Sequence, residues 1–490
     1  MLLAFRSNPS VEPLSVRQLE CVQLLPSNIQ ELFPVWDNPS TWNLAALSKI
    51  TVSYLQRIGS FNFLDPRHYG AAWLQDDWAA TKRLTLNLGV RYDICRNCLA
   101  EDIDYPPFKP TTPTAKLHIA PRLGFAYAVS DQKTVFRGGF GTYYSDVSDQ
   151  ISHHSRKEIG ARAIRIFNDG RPNFAADPFK GARPPTFEEI KASGTSIKTI
   201  GGGGQGMASP TLEIPFSYQT SIGLQRQLGQ AMAFEADYVW TGSRNQLYDQ
   251  LNVNVSYDPV TGSNYPFSDV SKRPYKDWDV IGLRFSDRIA NYHALQTSFT
   301  KRFNQRWQAS ATYTLSAQRD SLPPPRSGLV QVTNIPLAAD LVPQYGLAAG
   351  DQRHRAIVNG IWSLPYKLQL SGSYFYGSGA RANVTCGCGD PSKTGISGAS
   401  PSLRLNGTVI PRNSFVGDPL HRVDLRVTEQ IPLGGRVKLD GILEVFNVFN
   451  HVNYGSYTLV ESNSNFGKPA QNTELAYAPR MLQLGFRLTF

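Results

Sequence analysis

No stretch of this sequence reaches about 18 consecutive apolar residues, which excludes a membrane-spanning helix. Charge is sparse too: Asp, Glu, Lys and Arg make up 18% of the 490 residues, and five like charges never stand together. A formal net charge of +10 therefore lacks the concentrated basic tract that grips nucleic acid, and no nucleic-acid partner is expected. Dispersed basic groups suit a wetted interior and solvated loops, or an anionic lipopolysaccharide surface. Cysteine is scarce: Cys21, Cys95, Cys98, Cys386 and Cys388. One CRNC and one distant CGC do not make the paired knuckles of a structural zinc site, leaving local disulfides of an oxidising compartment or free thiols.

Catalytic constellations are equally thin. His153 and His154, with Glu158 nearby, offer half a metal site and no third ligand. Four glycines at 201–204 lack the Lys-Ser/Thr of a phosphate loop and read as a loop. Asp351, Arg353, His354 and Arg355 crowd one strand start, where they either bind an anion or face an interior. Glu235 and Asp237 read as lumen-lining carboxylates rather than an acid/base pair. The expectation is no enzyme, no cofactor and no metal. The opening MLLAFRSNPSVEPLSV has too short an apolar run for a signal peptide, a difficulty for any exported protein.

What the sequence does have is alternation. In the closing PRMLQLGFRLTF, Leu482, Leu484, Phe486, Leu488 and Phe490 share one face of an extended strand, and Gln483, Gly485, Arg487 and Thr489 the other. Strands are read at 69–78, where QDDW crowds the end and blurs the phase, and with the same period at 84–92, 123–129, 134–144, 216–228, 231–241, 293–303, 307–315, 355–364, 367–376, 421–431 and 437–449. Residues 1–68 form a poorly defined N-terminal segment, with a helix read near 15–25 and a first strand at 50–58. That makes about thirteen or fourteen strands, most of roughly 9–11 residues, the length of a tilted bilayer crossing. Short turns alternate with long Gly-, Pro-, Ser- and Asn-rich connections, such as 145–212 and 242–290. Aromatic residues fall at both strand ends: Trp78, Trp307 and Phe490 at the short-turn end, Tyr92, Tyr144, Trp240 and Tyr376 at the other. A mean hydropathy of -0.30 is no objection, because only alternate residues of a barrel strand meet lipid. The fold class expected is all-β, an antiparallel transmembrane outer-membrane β-barrel.

One hairpin permits a register prediction. If Pro432, Leu433 and Gly434 form a three-residue loop, Arg426 faces Asp440 and Arg422 faces Glu444, as opposite-charge pairs on the lumen side.

The segments WLQDDWAATKRLTLNLGVRYD, APRLGFAYAVSDQKTVFRGGFGTYY, NYHALQTSFTKRF with ATYTLS, DQRHRAIVNGIWSLP and RVDLRVTEQIPLGGRVKLDGILEVFNVFNHVNYG, in that order over 69–490, resemble barrel motifs of TonB-dependent receptors, Oar-like branch. The resemblance implies a 22-stranded barrel of the Gram-negative outer membrane, closed by an N-terminal plug. It also implies uptake of a scarce large nutrient, siderophore or glycan, driven through TonB. No plug, TonB box or signal is read before Tyr69, so the expectation is the C-terminal portion of such a receptor, with energised transport left to the intact parent. The resemblance further implies that Phe490 and Phe486, with their alternating strand, are read by the barrel assembly machinery; an interfacial anchor is the alternative for Phe490. Competing readings are a surface adhesin, a passive pore of about fourteen strands, and a soluble β-sandwich or propeller enzyme.

Overall fold

The computed structural model describes residues 2–4, 29–51, 53–59, 64–102, 118–130, 133–145, 152–153, 155–156, 161–192, 207–250, 252–321 except 259, 262, 277 and 279, 331–333, 345–391, 402–470 and 475–490. The helix read near 15–25, Cys21, His154, Glu158 and the glycines at 201–204 lie outside the described residues.

Thirteen strands form one antiparallel meander. They are β1 His68–Ala79, β2 Leu84–Arg96, β3 His118–Ala128, β4 Thr134–Tyr144, β5 Phe216–Leu228, β6 Met232–Gln250 and β7 Leu283–Asn304. β8 Trp307–Asp320, β9 His354–Ser363, β10 Leu368–Gly377, β11 Leu420–Gly434, β12 Val437–Phe446 and β13 Met481–Thr489 complete the series. Each pairs with its neighbour in this order, and β1 and β13 stand at its two ends. Six tight reversals lie on one rim; the connections 97–117, 145–215, 251–282, 321–353, 378–419 and 447–480 all lie on the other. Regular alternation of this kind is the connectivity of a membrane barrel.

Period-2 side-chain alternation is carried across the sheet by the register. Leu484, Leu443, Val427, Leu370, Trp362 and Trp307 are consecutive cross-strand partners on six strands. The next row, on the opposite face, runs Gln483, Glu444, Arg426, Ser371, Ile361 and Gln308. Among the described residues nothing covers the apolar face: Leu484 is 74% exposed, Phe486 82% and Trp362 55%. In water each such side chain would cost about 1.5–3 kcal/mol relative to burial, a cost that hydrocarbon removes. The buried apolar clusters among the described residues lie elsewhere. The largest joins Cys98, Leu99, Met207, Leu212, Ile281 and Leu283 at the long-loop rim. A second packs Leu32, Phe33 and Leu47 of the N-terminal segment against Ala175 of a long connection.

Three hydrogen-bonded Tyr–His pairs mark a line on the apolar face: Tyr238–His293 at 2.7 Å, Tyr313–His354 at 2.8 Å and Tyr374–His421 at 3.1 Å. Leu315, not Tyr313, shares the row of Tyr238, and Tyr376, not Tyr374, shares the row of Tyr313. Each pair thus sits two residues nearer the short-turn rim than the pair two strands earlier. That is roughly 6.8 Å along for roughly 9.6 Å across, an inclination of about 35°. Barrel strands tilt by about this angle, so the three pairs share one height in the membrane.

Two expectations need correction. Residues 53–59 do form a strand, but it pairs with Leu2–Ala4 and Ala161–Phe167 in a separate three-stranded sheet and adds nothing to the barrel wall. Residues 44–50, which begin with an Asn43 cap on the amide of Ala46, are helical, so the strand starts later than 50. The second correction concerns the last hairpin. Gly434 and Gly435 both have positive φ, 113° and 57°, so the reversal centres beyond Gly434. β11 therefore slides four residues along β12, and Arg426 faces Glu444 while Gln430 faces Asp440. An even slip leaves every side chain on its expected face.

Candidate ligand-binding wall and rim

The polar face of the sheet carries a lattice of ion pairs. Arg137 of β4 reaches over β5 to Asp237 of β6 at 2.7 Å and to Glu235 at 3.1 Å. Gly223 stands between Arg137 and Asp237 in the register. On β2, Arg91 grips Asp93 at 2.8 Å, and Asp93 also accepts the hydroxyl of Tyr69 from β1. At the other end Asp440, almost fully buried, accepts two bonds from Arg487 of β13 and one from Gln430 of β11.

The predicted charge pairs are redistributed within this lattice. Arg426 meets Glu444 at 3.7 Å rather than Asp440, because of the register slip. Arg422 lies beyond the paired length of β12 and turns to Asp424 of its own strand at 2.8 Å. Phe486 and Phe490 are exposed, Phe490 at 92%.

Between the charged ends, β7 to β10 present hydroxyls and amides, among them Gln296, Ser298, Thr312, Thr314, Asn359 and Ser371. Near β1–β6 a recess of about 480 Å³ opens where Gly89, Gly124 and Gly139 leave the wall bare. Gln75, Gln219 and Arg122 edge it, and the Arg122 guanidinium lies 4.8 Å from the Tyr143 ring centre. Such a wall can donate and accept hydrogen bonds along its whole length, as passage of a polar solute requires.

The alternation in sequence ends β6 at 241 and begins β7 at 293, yet the two strands continue as a paired ribbon well beyond the Tyr238–His293 height. There Arg284 and Asp249, directly opposite, form a two-pronged pair at 2.7 and 2.9 Å, with both side chains essentially buried. Burial pushes the Tyr248 phenol up to about 12, so it stays neutral. The ribbon is clasped by the loops: Met207 and Ala208 pair with Leu283 and Arg284, and Ser209 donates to Arg284. Cys95 and Cys98 are joined as a disulfide beneath this cluster, and Cys386 and Cys388 likewise within the fifth long connection. Complementary charges at 249 and 284 were the only sequence signal for the ribbon.

The crowded stretch at 351–355 divides. Asp351 is buried, accepting the Gln318 amide at 2.7 Å and lying 3.7 Å from Arg353 and 3.8 Å from Arg381. His354 belongs to the apolar-face belt, and Arg355 lies on the polar face, 5.5 Å from the Phe375 ring centre. These four residues do not converge on one ligand. His153 sits exposed in a short helical turn of the second long connection.

An uncovered apolar belt backed by a hydrogen-bonding wall, in an antiparallel meander with all long loops on one rim, defines a membrane-spanning β-barrel. The chain belongs to the outer membrane beta barrel domain family, whose model matches residues 45–404 and 399–483, and its place is the outer membrane. No curated protein matches the sequence. Similar solved structures include the outer membrane transporter YddB of Escherichia coli, at 13% identity and a TM-score of 0.46, covering 86% of this chain and 44% of that one. The FrpB iron transporter of Neisseria meningitidis has 12% identity and a TM-score of 0.43, covering 86% and 45%. The pyoverdine receptor FpvA of Pseudomonas aeruginosa has 12% identity and a TM-score of 0.44, covering 86% and 42%. The chain thus spans less than half the length of these proteins.

Proposed function

We propose that this chain is barrel wall and extracellular loops of a TonB-dependent receptor of the Oar-like branch. Its long loops recognise a scarce nutrient of the siderophore or glycan class, and its polar face lines the uptake path of the intact receptor. No catalytic role is part of this reading. TonB acts through a plug rather than through any residue of the wall. Outer-leaflet lipid and lipopolysaccharide surround the belt, and the barrel assembly machinery inserts the chain.

One observation supports recognition over a bare pore: among the described residues, parts of the long loops pack into a buried core. The β6–β7 ribbon stands beyond the membrane and carries its own buried core with an internal ion pair. Building such a core demands a purpose beyond connecting strands. The test is binding of a panel of ferric siderophores and oligosaccharides by the chain refolded into detergent, followed by uptake in cells with and without TonB. Saturable binding of one panel member, with TonB-dependent uptake in the receptor that carries this barrel, is expected. Cell adhesion by the loops with no solute bound would replace this reading with an adhesin.

A further inference from the structure

The ribbon buries more positive charge than it neutralises. Arg284, Arg288 and Arg412 have side chains only 1%, 6% and 12% exposed, while the carboxylates buried with them are Asp249 and Asp320, at 0% and 11%. Asp249 is committed to Arg284. Asp320 is committed to Arg412, whose Nη1 also donates to the Asp320 carbonyl at 2.6 Å. Arg288 is left over. Asp287 lies 3.5 Å from its Nε, but that carboxylate is 66% exposed and screened by water.

The surroundings of Arg288 are built rather than accidental. Its guanidinium lies 4.1 Å from the ring centre of Tyr248, which occupies its face and leaves its edge for in-plane partners. Yet among the described residues its Nε and Nη1 are buried without a hydrogen-bond acceptor, as is Nη1 of Arg284. Ile289, the next residue, is locked to Ser321 by two bonds of 2.9 Å, one through its amide and one through its carbonyl. That clasp brings Arg288 to the side of Asp320 and Arg412. The Arg412 guanidinium is lowered from its ordinary value by burial, and the Arg288 charge contributes in the same direction, as two unscreened cations do. A buried guanidinium with unmet donors is expensive by several kcal/mol and persists only where something compensates it.

We propose that Arg288, flanked by Arg412, is a subsite for an oxyanion, a carboxylate or phosphate-type group received in the plane of the guanidinium. Arg288 pairs with Gln246 on the β6–β7 ribbon, beyond the Tyr238–His293 height and so on the long-loop side of the membrane belt. Arginine suits this task because its planar fork matches two oxygens at once, where an ammonium offers only a point charge. The inference rests on reading this rim as the ligand entry, but its test is independent of uptake.

The experiment titrates inorganic phosphate, and separately sulfate, into the refolded full chain in detergent, at ionic strength held constant with chloride. Heat of binding and thermal midpoint are the readouts. Saturable binding with a rise in midpoint is expected, weakened at least tenfold in R288Q and several-fold in R288K, which keeps the charge and loses the fork. R319Q, an exposed arginine of β8, is expected to bind as the parent does. A folded parent chain that shows no saturable binding overturns the proposal, and so does R288K binding with unchanged affinity. If R288Q does not fold, R288K and the parent titration decide the matter alone. Failure of the uptake assay with anion binding intact would instead sink the receptor reading and leave this subsite standing.

Discussion

Asp237 lies across Gly223 to meet Arg137, and any side chain at that glycine would collide with it: a Cβ built there falls 1.9 Å from Oδ1 of Asp237. Glycine is needed here for space, not for backbone freedom. Gly223→Ala is expected to destabilise the barrel by about 1–3 kcal/mol, because the carboxylate must leave and take its ion pair with it. Asp237→Ala restores room and should suppress part of that loss in the double variant. Denaturant midpoints of the four proteins in detergent measure the coupling, and additive losses would count against it.

Neighbouring residues on opposite faces give the sharpest test of the membrane assignment. Ile222 is 59% exposed on the apolar face, opposite Tyr238 in the register, and Ser221 edges the polar recess. Ile222→Arg places a charge in hydrocarbon and is expected to cost about 2–4 kcal/mol near the bilayer centre and less towards the interface. Ser221→Arg faces water and should fold almost normally. Refolding yield into lipid vesicles reads both. Equal tolerance of the two substitutions would remove the belt from the membrane.

Strand positions within the bilayer were legible in the sequence because hydrocarbon imposes the alternation that reveals them. Thr134–Tyr144 and Phe216–Leu228 begin and end where the pattern places them. Beyond the membrane that pressure vanishes. Residues 242–250 and 283–292 bury charged and polar side chains such as Asp249, Arg284 and Arg288 beside apolar ones, so their apolar residues follow no period of two, and the ribbon reads as loop. The Arg284–Asp249 pair was therefore hidden until the register was known. Charge pairing across the last hairpin failed for a narrower reason: two consecutive glycines allow the reversal at more than one place, and sequence gives no energy by which to choose.

That hairpin can be tested by cross-linking. Cysteines at 426 and 444 face one another, whereas 426 and 440 are four residues out of register, roughly 13 Å apart along the strand. Arg426→Cys with Glu444→Cys is expected to give a disulfide under mild oxidation, found as a joined peptide by mass spectrometry. Arg426→Cys with Asp440→Cys should not. The reverse result would reinstate a loop centred on Leu433.

Two long connections are tied by the fork of Arg404 on Glu461, with both bonds at 2.7 Å. The Arg404 guanidinium holds the Glu461 carboxyl below its ordinary range. A carboxylate depressed in the folded state contributes fully above its unfolded value, near 4.3, and its contribution fades as pH falls through the lower folded value. Protease nicking of these loops in the refolded chain is thus expected to rise as pH drops below about 4. Glu461→Gln should show the raised nicking already at neutral pH, with little further change on acidification. A parent chain whose loops open only at alkaline pH would contradict the sign.

Phe490 is 92% exposed and follows β13, whose apolar face carries Phe486. An aromatic anchor and an assembly signal predict different losses. An anchor contributes through burial of its ring at the interface, so Phe490→Ala would lower the stability of the refolded barrel by about 1–3 kcal/mol wherever that barrel was made. A signal acts before folding, so the same substitution should leave the denaturant midpoint unchanged while cutting the amount inserted in living cells several-fold. The second pattern is expected, with Phe486→Ala reducing both quantities because its ring also belongs to the belt. Midpoint in vesicles and surface-labelled yield in cells separate the two. A Phe490→Ala chain that inserts in cells as well as the parent ends the signalling role.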